Sequence, residues 1–219
     1  MNLVYHAEGH MTDHLMNALQ KARIVPVIRH RETRIAETAC HILAEEGAGV
    51  LEITMTVPNA DALLERLGAA HPDIVLGAGT VLDAAEARRA IAAGARFIVS
   101  PCWCDAVAAA CGVAQIPYLP GAMTPGEVLH HAQNGAHVVK VFPADAAGGP
   151  GFLKALRAVF PDIPLMPTGG VTPDNAADYL AAGALCVGMG GNLLPAAALE
   201  QGDEATARDL IRAALTDAR

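Results

Sequence analysis

Eight short apolar runs, each followed by a stretch of helical periodicity, constrain this 219-residue chain more than any other feature. The runs lie at residues 24–28, 50–55, 74–77, 97–100, 116–119, 137–142, 164–168 and 185–188. Short, β-branched and bounded by turn residues, they read as strands of a parallel sheet buried on both faces. Helical patterns fill 32–46, 59–70, 83–93, 103–111, 125–134, 150–159, 173–182 and 203–217. Glycine follows several of these apolar faces, as in Glu46-Gly47, Ala93-Gly94, Asn134-Gly135 and Ala182-Gly183, where a helix C-terminus is expected. Thr172-Pro173 offers an N-cap followed by a proline in the first turn.

This alternation predicts an α/β fold, a single (β/α)8 TIM barrel with an N-terminal helix. Such barrels take about 250 residues, with a lower end near 200, so this one would be compact. The alternative is an open doubly wound sheet, which usually carries a Gly-rich turn after its first strand. Here Ile28 is followed by Arg29-His30-Arg31, and the glycine-rich turns come after the third, seventh and eighth runs. One domain is expected over 12–219, preceded by a flexible tail at 1–11, which is polar and aperiodic.

Composition narrows the function. Hydrophobic residues at 53% against 17% charged suit one well-filled core, and only 4% aromatics favours helices packed on a parallel sheet over a β-sandwich. A net charge of −8 without any Lys/Arg run argues against nucleic acid. No apolar stretch reaches the roughly 18–20 residues that span a bilayer. Tyr5, His6, Glu8 and His10 stand where a signal peptide needs an apolar core. Five cysteines, an odd number without framework spacing, fit reduced thiols and a cytoplasmic protein.

One lysine interrupts the sixth run, His137-Val138-Val139-Lys140-Val141-Phe142, and the chain has only two others, Lys21 and Lys154. An ammonium is costly inside an apolar strand, whereas a neutral amine in a dry pocket is what attacks a carbonyl to form a Schiff base. The plain alternative is a strand-end lysine that snorkels to solvent. Strand alternation adds a test. In the second run Leu51, Ile53 and Met55 share the parity suited to packing under helices, while Val50, Glu52, Thr54 and Thr56 would point inward. In the sixth run Val138, Lys140 and Phe142 share one face. The second and sixth strands face each other across an eight-stranded barrel, so Glu52 and Lys140 can converge. They form either a structural ion pair or a catalytic pair at the C-terminal strand ends, where barrels place their chemistry.

Two glycine clusters, Thr168-Gly169-Gly170 and Gly188-Met189-Gly190-Gly191, follow the seventh and eighth runs. Loops at these places commonly bind phosphate, because glycine lets backbone N–H groups approach an anion; tight turns also need glycine. Arg29 ends the first run, suited to a carboxylate or phosphate, or to a rim salt bridge. Cys102, Cys104 and Cys111 fit no zinc spacing, so no metal is expected. His130-His131 lies on a helix and is expected to be solvated.

These residues together resemble the KDPG/KHG (2-keto-3-deoxy-6-phosphogluconate/4-hydroxy-2-oxoglutarate) aldolases, class I lyases on a (β/α)8 barrel. The resemblance runs from about Ile24 to the C-terminus. Its signatures are Leu51-Glu52-Ile53-Thr54, Gly77-Ala78-Gly79-Thr80-Val81, Ser100-Pro101, Leu119-Pro120-Gly121, Lys140-Val141-Phe142-Pro143-Ala144 and Pro167-Thr168-Gly169-Gly170-Val171. It implies Lys140 as the Schiff-base lysine and Glu52 as the general acid/base. It also implies Thr80 and Pro101 around the pyruvyl part of the substrate, Phe142 beside the lysine, Thr168 against substrate, and Gly169 and Gly170 in a phosphate loop. Thr54, Gly190 and Gly191 complete the expected substrate site. No cofactor is implied; a 2-keto acid or sugar-phosphate substrate, a homotrimer and a place in Entner–Doudoroff metabolism are.

Two departures from the family pattern stand out. Many members have arginine where this chain has Thr56, and a branch with arginine on the first strand is the nearer match, which assigns the anion to Arg29. Gly191 stands where a serine commonly meets phosphate. The galactonate epimer or an unphosphorylated 4-hydroxy-2-oxo acid are therefore open as substrates. A non-catalytic phosphometabolite sensor would leave Lys140 and Glu52 without a task, and a metal-dependent class II aldolase lacks a ligand cluster.

Overall fold

A computed structural model describes residues 10–217. Of the tail expected at 1–11, residues 1–9 lie outside this range, and His10 already begins the first helix, α1 (His10–Ala22). Strands and helices then alternate: β1 (Ile24–Ile28), α2 (Thr33–Glu45), β2 (Val50–Thr54), α3 (Ala60–Ala70), β3 (Val75–Gly79), α4 (Ala84–Ala92), β4 (Phe97–Val99) and α5 (Asp105–Ala114). The second half runs through β5 (Tyr118–Leu119), β6 (Gly121–Ala122), α6 (Pro125–Gln133), β7 (Val139–Val141), α7 (Gly149–Val159), β8 (Leu165–Pro167), α8 (Pro173–Ala181), β9 (Val187–Met189), α9 (Ala196–Gln201) and α10 (Glu204–Asp217).

Every strand pairing is parallel. The result is an α/β fold with a curled six-stranded sheet, ordered β5-β4-β3-β2-β1-β9, and a three-stranded sheet, β6-β7-β8. This differs from one continuous eight-stranded ladder, and Pro120 is part of the reason. Having no N–H, it ends the ladder directly after the fifth run and separates β5 from β6. Its carbonyl still accepts from Lys140 N at 2.9 Å, and His137 N donates to Tyr118 O at 3.1 Å, so the two sheets touch along this segment. At their other edges Thr168 bridges Gly188, and Leu185 N donates to Leu165 O at 2.9 Å.

Helix ends follow local chemistry. Thr124 and Thr172 cap α6 and α8 in reciprocal capping boxes, each followed by proline at the first turn. Gly94 and Gly135 end α4 and α6 with φ of +97° and +92°, a backbone that side chains disfavour. The strand parities hold as well. Leu51, Ile53, Val139 and Val141 join the cluster beneath the helices, whereas Val50 and Val138 belong to an inner cluster.

That inner cluster positions everything above it. Val25, Val50, Val75, Phe97, Leu119, Val138, Met166 and Cys186 each come from one of the eight runs, and Leu15 and Leu19 of α1 pack against them. Its strand residues are mostly early in their runs, so α1 covers the N-terminal end of the sheet. The C-terminal end is left for polar groups.

One expectation fails in α6. His130 is exposed, but His131 is buried; its ring stacks on Trp103 at 5.3 Å and its Nε2 donates to Gly121 O at 2.8 Å. Val128 and His131 are three apart and share the buried face of α6, so helical spacing rather than residue polarity decides the matter. Burial holds the His131 ring below its ordinary pKa.

Leu19 has no exposed surface and joins α1 to the inner cluster. Leu19→Ala should therefore cost about 2–5 kcal/mol in chemical denaturation, since the cavity left at a rigid sheet end cannot collapse.

Candidate active site

The site is built at the C-terminal ends of the strands. Lys140 sits at the middle of β7 and is 5% exposed. Its backbone is fixed on both sides, pairing with Gly121 in β6 and Met166 in β8. Its Nζ lies 5.0 Å from the centroid of the Phe142 ring, within cation–π range.

Glu52 has no exposed surface, and its neighbours in the ladder are Val27 of β1 and Gly77 of β3. A Cβ on Gly79 would fall 1.9 Å from Glu52 Oε1, so only glycine at that position leaves the carboxylate its place. Neither Glu52 oxygen has a hydrogen-bond partner among the described residues. Burial pushes the carboxyl above the ordinary carboxylate range, against the opposing pull of the Lys140 and Arg29 charges. Glu52 and Lys140 thus sense one another without a direct ion pair among the described residues.

A cavity of about 420 Å³ opens above them. Arg29, Thr80 and Pro101 line it from the ends of β1, β3 and β4, and Lys140 and Phe142 from β7. Thr168, Gly169 and Gly170 after β8 and Gly190 and Gly191 after β9 form the remaining wall. Gly169 and Gly170 have φ of +92° and +73°, and a Cβ on Gly170 would collide with Asp145 at 2.3 Å, so this turn requires glycine. Gly188 serves Thr168 similarly, since a Cβ there would come within 2.2 Å of the buried Thr168 Oγ1. Thr80 holds φ of +57°, rare for a β-branched residue and the kind of local strain that gathers at functional sites.

Ten of the twelve residues named from sequence line this cavity. Glu52 lies buried outside its lining, and Thr54 is placed differently. Thr54 is fully buried, and its hydroxyl donates to Ile28 O at 3.0 Å and lies 2.8 Å from Thr56 Oγ1. Val27, Val171, Gly188 and Asn192 also line the cavity and are not among the twelve. Val27 shares the parity of Arg29, so alternation contains a signal for it. Asn192 follows directly on the second glycine cluster; its amide donates to Val171 O at 3.0 Å and ties the two loops together.

A larger cavity of about 580 Å³ lies at the opposite end, between α1 and the N-terminal strand ends, and contains none of these residues. Of the cysteines, Cys102 is exposed, and Cys104 directs its thiol to Leu82 O. Cys111 is buried in the core, where burial pushes its thiol pKa up to about 12.

A sequence profile described as KDPG and KHG aldolase matches residues 15–210. The chain belongs to the KDPG/KHG aldolase family. Among its relatives, the 2-dehydro-3-deoxy-phosphogluconate aldolase of Pseudomonas aeruginosa is 40% identical over 198 residues, covering 90% of this chain and 89% of the relative. The KHG/KDPG aldolase of Escherichia coli K12 is 35% identical over 197 residues, covering 90% and 92%. Among solved structures, the KDPG aldolase of Legionella pneumophila superposes with a TM-score of 0.83 at 34% identity, covering 91% of this chain and 97% of that one. That crystal structure holds pyruvate captured at low pH as a covalent carbinolamine intermediate. Every signature that carries the resemblance lies in a strand or in the segment directly after it.

The buried carboxyl has a measurable consequence. Its folded-state pKa is raised, so the folded protein holds this proton more tightly than the unfolded chain, whose group titrates near 4.5. The favourable contribution is complete below that value and is lost as pH rises through the folded one. Glu52→Gln does not titrate, so its melting temperature should rise relative to the parent from pH 4.5 upward and then level off. Parallel pH profiles of the two proteins would show that Glu52 is not desolvated.

Proposed function

We propose that this chain is a class I aldolase that cleaves KDPG to pyruvate and glyceraldehyde 3-phosphate, and 4-hydroxy-2-oxoglutarate to pyruvate and glyoxylate. The observation that carries the reading is the buried Lys140 on the wall of the cavity, with an unpartnered buried carboxylate, Glu52, that senses its charge. Lys140 Nζ adds to the C2 ketone, and loss of water gives an iminium. As C3–C4 breaks, its electron pair passes into the iminium to form the enamine of pyruvate, and Glu52 takes the proton of the C4 hydroxyl. The aldehyde leaves, C3 recovers the proton from Glu52, and water hydrolyses the iminium to release pyruvate and free Lys140. A carboxyl held above its usual range by burial loses its proton to water less readily than a solvated one, which suits a group that must both take and give it.

Thr80, Pro101 and Phe142 would surround the pyruvyl part, and Thr168, with Gly169, Gly170, Gly190 and Gly191, the distal part. A second reading is favoured by Gly191, which brings no hydroxyl to that end: the substrate's distal group is then unphosphorylated. For the fold, we infer that the two parallel sheets are arcs of one (β/α)8 barrel and one domain over 12–219. The contacts at both seams, and an inner cluster drawn from all eight runs, support this closure. The family resemblance extends the reading to a homotrimer, and the free cysteines to the cytoplasm. Among the described residues no helix is long and apolar enough to cross a membrane.

Borohydride reduction in the presence of pyruvate should attach a pyruvyl group to Lys140, and Lys140→Ala should abolish both adduct and turnover. In Glu52→Gln the adduct should still form, more slowly, while turnover falls by about 10²–10⁴-fold. Appreciable cleavage by Lys140→Ala would refute the Schiff-base mechanism.

The distal site has its own test. A side chain at Gly191 would meet nothing within 4 Å, so serine fits without strain. Gly191→Ser should raise the ratio of kcat/KM for KDPG over 4-hydroxy-2-oxoglutarate by about ten- to a hundredfold, the effect of one hydrogen bond to a charged group. An unmoved ratio would place the phosphate elsewhere.

A further inference from the structure

Arg29 is held from two sides. Its Nη2 donates to Thr80 Oγ1 at 2.9 Å and its Nη1 to Thr56 Oγ1 at 3.3 Å. Thr56 Oγ1 lies 2.8 Å from Thr54 Oγ1, and Thr54 donates to the Ile28 carbonyl at 3.0 Å. A carbonyl only accepts, so the single hydroxyl proton of Thr54 goes to Ile28 and Thr54 must accept from Thr56. The proton of Thr56 is thereby committed to Thr54, and its lone pairs face Arg29. The chain of donors runs one way, from Arg29 through Thr56 and Thr54 to Ile28, the residue before Arg29. It closes a ring that ties the end of β1 to the end of β2.

The charge so placed acts at the reacting end of the cavity. Arg29 and Lys140 line the same space, and the Glu52 carboxyl is pulled downward by both cations. In a 2-oxo acid joined to Lys140 through C2, the anionic group next to the reacting carbon is the C1 carboxylate. A terminal phosphate lies several carbons away, toward the glycine loops.

We propose that Thr56 is a positioning residue that locks Arg29, through this one-way chain, in the orientation that grips the carboxylate beside the reacting ketone. The inference rests on the aldolase reading above. Thr56 is exposed, so its replacement leaves the core intact.

Pyruvate, which has that carboxylate and no phosphate, is the probe. Borohydride trapping on Lys140 is measured across pyruvate concentrations in the full chain and in Thr56→Val, Thr56→Ser and Arg29→Ala, together with kcat and KM for KDPG and 4-hydroxy-2-oxoglutarate. Thr56→Val should raise the half-saturating pyruvate concentration about three- to tenfold, the loss of one hydrogen bond to a charged group at an exposed rim. Arg29→Ala should raise it further, and Thr56→Ser should restore the parent value. In Thr56→Val, trapping at saturating pyruvate and kcat should stay at parent levels, and KM should rise in parallel for both substrates. An unchanged pyruvate dependence in Thr56→Val, failure of serine to restore it, or a loss confined to the phosphorylated substrate would overturn the proposal. If the parent chain traps no pyruvate at all, the aldolase reading fails and this inference falls with it.

Discussion

A carboxylate without a hydrogen-bond partner inside a parallel sheet is the constraint around which this protein is organised. Removing a charged group from water costs far more than a typical hydrogen bond returns, so Glu52 persists only because its surroundings hold it there. Val27 and Gly77 flank it in the ladder, and Gly79 leaves the volume that its carboxyl occupies. The same burial raises its proton affinity, while the cations of Lys140 and Arg29 keep ionisation within reach. A group held between these opposing effects can both accept and return a proton, which is what cleavage of a bond next to an iminium demands.

Stability and chemistry are divided along the length of the strands. Toward their N-terminal ends the inward side chains are apolar and α1 packs beneath them. Toward their C-terminal ends the same inward faces present Glu52, Lys140 and Thr168, the buried polar groups of the site. Two residues along a strand are enough to pass from one layer to the other, as Val50 gives way to Glu52 and Val138 to Lys140. The apolar layer below supports Glu52 and Thr168, whose side-chain oxygens have no hydrogen-bond partner among the described residues.

Much of this was legible in the chain. The alternation of Leu51 and Ile53 with Val50 and Glu52 assigned β2 its two faces, and the lone lysine in a β-branched run marked β7. The glycines after the seventh and eighth runs marked the loops that line the cavity. What misled was local polarity. His131 looked like a surface residue, yet its position three residues after Val128 turns it into the core against Trp103. Thr54, expected in the substrate site, is fully buried, with its hydroxyl engaged by Ile28 and Thr56. The break at Pro120, the short strand β6 and the six-residue α9 left no periodic signal, because two to six residues are too few to show one.

Sequence by itself determined the order of the elements, the inward parity of Glu52 and Lys140, and the family, since these rest on side-chain periodicity and on motifs read within a few residues. Tertiary structure alone decided how residues far apart in the chain act on one another. Arg29, Thr56 and Thr80 come from the ends of three different strands and meet through hydrogen bonds that no local pattern encodes. The raised pKa of Glu52 belongs to the same class, because desolvation and the fields of Lys140 and Arg29 act through space rather than along the backbone.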